Sequence, residues 1–446
     1  MGEGSGAKRT VLALESVNFR RYFAGQLLST LGTWMQITAQ IWLVLEITDS
    51  GAALGRVSAL QFVPALLLGA WAGSIADRFE NRRLLLVTNV FAGLFALALG
   101  VLSLQGSLTV GWLYVAAFGV GTGNAFDRAA GPAFVTSLVP ADHLPSAIGL
   151  YSVTTSASRM VGTAVAGVIV ATWGPTACFF INAASYLLVL ASLLSLRTGE
   201  ITDRRVHGEP IRVKDGLTHI RARPILRRTL VTTTVVGMFG MNFMILVPAM
   251  VRLTFDADAN WFGIAEVFSG AGSTAAGFLV GALHRPTART VALGAMAMGA
   301  ATICTGLAPT LVAFCVLMFA VGLAAVGFMT VSMTVTQANA EPSMRGRVSA
   351  LQTVAQSGAM PIGSLLIGGL MSGIGVRTTM VLTGASAVVA GLVLTSLERA
   401  RPSVLWADGD VGHPPVELDA TLEPPAPPVL PDGPGDPVSG AAATPR

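Results

Sequence analysis

Lysine is almost missing from this sequence: Lys8 and Lys214 are the only two in 446 residues. No Gly-rich loop ends in Lys-Ser or Lys-Thr, so there is no phosphate cradle and no built-in ATPase. The glycine runs GVGTG from residue 119 and GAGSTAAG from residue 270 lie inside apolar stretches and lack the strand that a dinucleotide loop requires. Charge of either sign is scarce, at 12% of residues, where soluble domains carry about 25%. Only three cysteines occur, Cys178, Cys304 and Cys315, without metal or redox spacing, and they are expected to be packing residues. The five histidines are scattered over polar segments, which argues against a metal site. No cofactor is expected, and the chain is not expected to be an enzyme.

What is abundant is apolar: 52% of residues are hydrophobic. Runs long enough to cross a hydrocarbon core about 30 Å thick recur along the chain. They predict spans at 20–46, 52–75, 84–104, 110–136, 147–172 and 175–196, then 229–251, 262–283, 290–308, 311–337, 348–371 and 376–397. Each must be helical, because an open strand edge leaves backbone amides unsatisfied in lipid. The expected fold is an all-α integral membrane protein of twelve transmembrane helices in two six-helix, pseudo-symmetric bundles, 20–196 and 229–397. A short segment 1–19 precedes them, a polar linker 197–228 divides them, and a proline-rich, acidic tail 398–446 is expected to be disordered.

Placing the amino terminus in the cytoplasm leaves only Arg56, Arg252 and Arg377 on the outer side and Arg159 within a span. The positive-inside rule then puts both termini in the cytoplasm of a multi-pass cell-membrane protein. The net charge of +4 is a by-product of this bias and points to no nucleic acid. No removable signal peptide is read at the amino terminus. Between the halves, GTAVAG from Gly162 falls on GSLLIG from Gly363 at a shift of 201 residues, and Arg20 and Arg21 fall on Arg227 and Arg228 at a shift of 207. Parallel repeats of six spans suit alternating access around a site near the midplane.

The segment GSIADRFENRR, 73–83, sets charges between two greasy runs. Topology explains its arginines one by one but not the acid among them. Gly73, Asp77, Arg78, Arg82 and Arg83, at the junction of spans 2 and 3, resemble the signature loop of the major facilitator superfamily. The resemblance implies that Asp77 meets the amino-terminal end of helix 11 and latches the outward-open state. An acid so placed gains about 0.3–1 kcal/mol from the helix dipole. Glu80 and Asn81 depart from the common pattern, so the arginine that meets an acid on helix 4 would be Arg82, or that contact is lost. Asp127 and Arg128 on helix 4 would pair with loop charges, or form an interfacial pair. The stretches from AFDRAAGP to GTAVAG and CFFINAASYL are similar to the branch of the enterobactin exporter and related secretion-type carriers. That implies export of siderophores, drugs or other amphiphiles. Helix 5 has Gly162 and Thr163 where proton-coupled drug antiporters usually carry Gly-Pro.

Polar residues inside spans are expensive and normally face a cavity or a partner. Arg159 shares a helical face with Ser152, Ser156 and Thr163, and suits either an anionic substrate group or a fixed acid. On helix 1, Tyr22, Gln26, Ser29, Thr33, Gln36 and Gln40 share a face, either as polar glue between helices or facing substrate. Thr330, Thr334 and Gln337, with Ser349, Gln352 and Gln356, are shorter versions in the second half. Glu266 is a candidate proton carrier, as is Asp127.

The expected function is proton-coupled efflux of a small organic molecule by a secondary carrier, acting as a monomer in the bilayer. The alternatives are import of a polar nutrient, or a non-transporting sensor or scaffold whose tail does the work. Deleting residues 402–446 separates these: near-normal flux in vesicles is expected of the carrier, lost function of the scaffold.

Overall fold

The computed structural model describes residues 12–201, 213–281 and 287–400, and among these every regular element is helical. The long helices are α1 (Val17–Thr48), α2 (Gly51–Arg78), α3 (Asn81–Leu104), α4 (Val110–Ser137), α5 (Leu144–Trp173) and α6 (Pro175–Leu194). They continue with α7 (Pro224–Thr254), α8 (Ala259–Gly281), α9 (Ala288–Gly306), α10 (Leu311–Ala338), α11 (Arg345–Ile374) and α12 (Val376–Ala400). Ten stretches among the described residues are long and apolar enough to cross a membrane. The long helices outside that set are α1 and α4, 32 and 28 residues long. Both carry polar residues through the middle: Gln26, Gln36 and Gln40 on α1, and Asn124, Asp127 and Arg128 on α4.

Local chemistry sets the helix ends. Ser16, Ser50 and Thr310 cap α1, α2 and α10 by accepting from Phe19, Ala53 and Ala313 N–H groups. Pro224 starts α7 five residues before the predicted span, since its missing N–H costs nothing in a first turn. The linker is correspondingly shorter and contains a helix, Val213–Ala222, whose Gly216 packs against Arg347 and Leu351 of α11. Arg223 then donates to Asn339 O at 2.7 Å and pairs with Glu341 at 2.5 Å, tying the linker to the α10–α11 loop. Burial, then the Arg223 charge, holds the nearby His219 imidazole below its usual range. The tail 401–446 and segment 1–11 lie outside the described residues.

Helix α7 is not continuous. It widens into π-turns at Val236–Gly240 and Met250–Thr254, with a break at Met241 and Asn242. Buried Asn242 fills the break, donating to Met238 O at 2.7 Å and accepting from Ser364 Oγ at 2.8 Å. A freed backbone group inside a membrane needs such a partner.

Packing in the first half joins α1 with α5 and α6, α3 with α4 and α6, and α2 with α4. The second half repeats the scheme: α7 with α11 and α12, α9 with α10 and α12, α8 with α10. The two main crossings between the halves are α2 with α11 and α5 with α8, and the Phe243–Ala249 stretch of α7 also touches α1 and α2. Both main crossings are made by glycine. A Cβ on Gly167 would meet Ala259 O at 2.8 Å and Gly263 Cα at 3.0 Å. A Cβ on Gly368 would meet Gly51 O and Gly55 Cα, both at 2.9 Å. Gly162 likewise lies on the α1 backbone at Leu31, and Gly363 on the α7 backbone at Met238. These glycines are the ones brought together by the 201-residue shift, and Leu31 and Met238 obey the 207-residue shift. The sequence correspondence is therefore also a correspondence of contacts.

The crossings lie at one end of the molecule, where a single apolar core draws on both halves, from Met35–Leu45 region residues of α1 to Ile245, Leu246 and Val247 of α7. At the other end, where the α2–α3 loop and the linker lie and arginine is plentiful, the core divides. One cluster contains only first-half residues such as Phe19, Tyr22, Phe134 and Leu193; another contains only second-half residues such as Ile225, Val291, Phe328 and Val335. The halves are fused at one end and parted at the arginine-rich end.

Overpacking a tight site costs about 1–3 kcal/mol. Gly368→Leu should therefore lower the melting temperature of the purified protein, whereas Gly369→Leu should not, because open space surrounds the adjacent glycine. Equal effects of the two would contradict this packing.

Candidate functional site

Helix α5 shows where the parting begins. Ser152, Thr155, Arg159, Thr163, Ala166 and Val170 fall on one face at helical steps. The first three are exposed and the last three buried, so this face leaves an open cleft and enters the fused end just beyond Arg159. Gly162 and Leu31 mark the side of α5 that packs on α1; Met160, lying against Gly270, and Gly167 mark the side on α8. Arg159 projects between those sides, toward the centre of the molecule. The outer face of α5 carries exposed Val161, Val165 and Val168. The arginine is thus in the cleft and away from acyl chains.

Glu266 answers it from the other half. Gly263 and Gly270 on α8 both press on α5, and Glu266 lies between them in sequence at steps of three and four. The residue is partly buried and lies within electrostatic reach of Arg159, without a salt-bridge contact between them. Glu266, a candidate proton carrier by sequence, thus lies on the side of α8 that faces α5.

A second polar centre lies within the first half. Asp127 on α4 accepts a hydrogen bond from Thr88 Oγ1 on α3. Tyr22 packs edge-on against Phe134 with ring centroids 5.1 Å apart, and the Tyr151 hydroxyl lies over Gly131. Asp127 does not pair with loop charges, and Arg128 is exposed without an ion pair among the described residues.

The loop 73–83 is open. A Cβ on Gly73 would meet nothing, and Asp77 and Arg78 are exposed, with no hydrogen bond or ion pair among the described residues. Arg82 donates to Leu193 O at 2.9 Å and caps the end of α6 in place of an acid on α4. Arg83 pairs with Glu80 at 2.7 Å on the surface. Asp77 does not latch α11 in this conformation, because the halves are parted at that end.

The polar stripes resolve differently from one another. Gln36 is buried and accepts from Asn182 Nδ2 at 2.7 Å; Gln40 is buried and donates to Leu113 O at 2.8 Å; Thr33 meets the Tyr186 hydroxyl at 3.2 Å. These are contacts within the first half, and they are those of polar glue between helices. Gln356 lies over Gly237 and donates to Met241 Sδ at 3.3 Å, while Gln352 donates to Ser332 Oγ at 2.9 Å. Thr330, Thr334 and Gln337 are exposed. Cys178 and Cys315 are buried, but Cys304 is exposed and is no packing residue. Thr88, Asn182 and Asn242 escaped the sequence reading, since a lone polar residue in an apolar run shows no periodicity. The link from Ser58 to Ser364 at 3.1 Å, which joins the halves beside the α2–α11 crossing, escaped it too.

A helical membrane bundle sealed at one end, with charges from both halves at the apex of a cleft, defines a carrier-type transporter. The chain belongs to the transmembrane secretion effector family of the major facilitator superfamily, whose family model matches residues 10–429. It is 23% identical to the staphyloferrin A transporter of Staphylococcus aureus, over 85% of this chain and 96% of that protein. It is 24% identical to macrolide efflux protein A of Streptococcus pyogenes, over 86% and 97%. It is 25% identical to the multidrug efflux pump Tap of Mycobacterium tuberculosis, over 87% and 95%. The fold is that of solved transporters: a bacterial homolog of the human lysosomal transporter Spinster superposes with a TM-score of 0.71 at 15% identity, covering 88% of this chain and 99% of that one. The nucleoside transporter NupG gives 0.68 at 11% identity, covering 85% and 99%.

Leaving one partner of a buried hydrogen bond unsatisfied costs about 1–3 kcal/mol, whereas replacing both can be nearly neutral. Gln36→Leu should lower the melting temperature, and Gln36→Leu with Asn182→Leu should recover most of that loss. No recovery would argue against the interhelical role.

Proposed function

We propose that this protein exports a small organic molecule from the cytoplasm by alternating access, driven by proton entry. The observation that carries this reading is the division of the core: fused at one end, separate at the other, with a polar cleft between. The repeated packing scheme supports twelve spans organised as two six-helix bundles, α1–α6 and α7–α12. The bundles rock about the α2–α11 and α5–α8 crossings. The arginine-rich end is the cytoplasmic one by charge bias, which puts both termini inside and makes this conformation open to the cytoplasm. The relatives' names, for a siderophore, a macrolide and multiple drugs, support an amphiphilic cargo leaving the cell.

In the opposite conformation the parted ends meet, and Asp77 then comes to the start of α11, where the helix dipole holds it. Asp127, enclosed among Thr88, Tyr22 and Tyr151, is the acid that takes the incoming proton. A screen of toxic compounds for growth protection identifies a cargo, and the purified protein in vesicles then tests the coupling. Efflux should accelerate under a pH gradient directed against it and stop when an ionophore collapses that gradient, and Asp127→Asn should remove this acceleration. Flux indifferent to the gradient would refute proton coupling.

A further inference from the structure

Arg159 and Glu266 are charged groups of opposite sign on facing sides of α5 and α8, one from each half, and neither has a salt bridge among the described residues. Closure of the cleft would make this costly. An arginine left uncompensated among apolar helices has a price in free energy, and its charge cannot be removed, because guanidinium keeps its proton in almost any environment. An available acid lies within electrostatic reach, yet the two form no salt bridge. Glu266 lies between Gly263, which meets the α5 backbone at Ala164 and Gly167, and Gly270, which meets the Met160 side chain, so movement of α8 against α5 changes the separation of the acid from Arg159. Arg159 itself is exposed to the cleft, presenting a planar fork of donors to whatever enters.

We propose that Arg159 is the seat for an anionic group of the exported molecule, a carboxylate or a group of like charge and shape. Glu266 is the internal acid that takes Arg159 over when the cytoplasmic end closes. With the cleft open inward, the anion compensates Arg159 by a bidentate, charge-assisted contact. When the halves rock, the segments below the crossings converge, Glu266 reaches the guanidinium and the anion is displaced toward the opened outer side. The exchange keeps Arg159 compensated in both conformations, so neither state carries the cost of a bare buried charge. This rests on the alternating-access reading above and adds to it the charge of the cargo.

The test uses the full-length protein in detergent with two dyes of similar size, anionic carboxyfluorescein and cationic rhodamine 123, their binding followed by fluorescence anisotropy. Carboxyfluorescein should bind about ten-fold more tightly than rhodamine 123, Arg159→Gln should abolish that preference, and Arg159→Lys should restore part of it. In vesicles, Glu266→Gln should lower the maximal rate of carboxyfluorescein efflux without raising its KM, since binding is kept and displacement lost. Melting temperature and gel filtration establish that each variant is folded. No binding of the anion, a preference for the cation, or a preference unchanged by Arg159→Gln would overturn the anion seat. A raised KM or an unaltered rate in Glu266→Gln would overturn the displacement role. Gradient-driven pumping of rhodamine 123 by both wild type and Arg159→Gln would sink this proposal and leave the carrier reading intact. Efflux of neither dye, despite anion binding, would count against the carrier reading instead.

Discussion

Two glycine crossings set the conditions for the rest of the structure. Helices normally pack 8–10 Å apart, and only residues without bulk let them come nearer. Gly55 with Gly368 and Gly167 with Gly263 bring the halves into backbone contact at one end, and the apolar core closes over them. Because the backbone contacts lie toward that end, the other end of each half diverges and encloses a cleft. Small residues also slide easily past one another, which makes these crossings suitable pivots.

The cleft places polar groups according to the same geometry. On the side of a helix that faces its own half, Gln36, Gln40, Gln352 and Gln356 find partners in neighbouring helices and serve as interhelical contacts. On the side that faces the other half, Arg159 and Glu266 have no such neighbour in this conformation. Two kinds of intramembrane polarity result: one that links the helices of a bundle, and the other that we propose is satisfied in turn by a ligand or by the opposing half. The second kind is where the free energy of a transport cycle can be stored and exchanged.

Much of this was legible in the sequence. Apolar runs set the helices to within a few residues, apart from α7, whose start depended on Pro224 and whose interior breaks at Asn242. The shift of 201 residues singles out Gly162, Gly167, Gly363 and Gly368, because a repeated unit must repeat its close approaches. The loop at 73–83 gave the superfamily. The glutamine stripe of α1 was ambiguous, since periodicity tells which residues share a face and does not tell what that face meets. Asp127 stands out in the sequence as an acid within a span, but its partner Thr88 lies on another helix at a position with no pattern of its own.

The sequence by itself determined that the chain crosses a membrane repeatedly, which end of the helices is rich in arginine, and that its halves share a design. These follow from properties of single residues summed along the chain: transfer free energy, charge and the absence of a side chain. Only the tertiary structure decided that the halves are fused at one end and parted at the other, that Asp77 is free while Arg82 caps α6, and that Arg159 faces Glu266. Those facts depend on which surfaces meet across hundreds of residues, and the same helices in the opposite tilt would satisfy the same hydrophobic pattern.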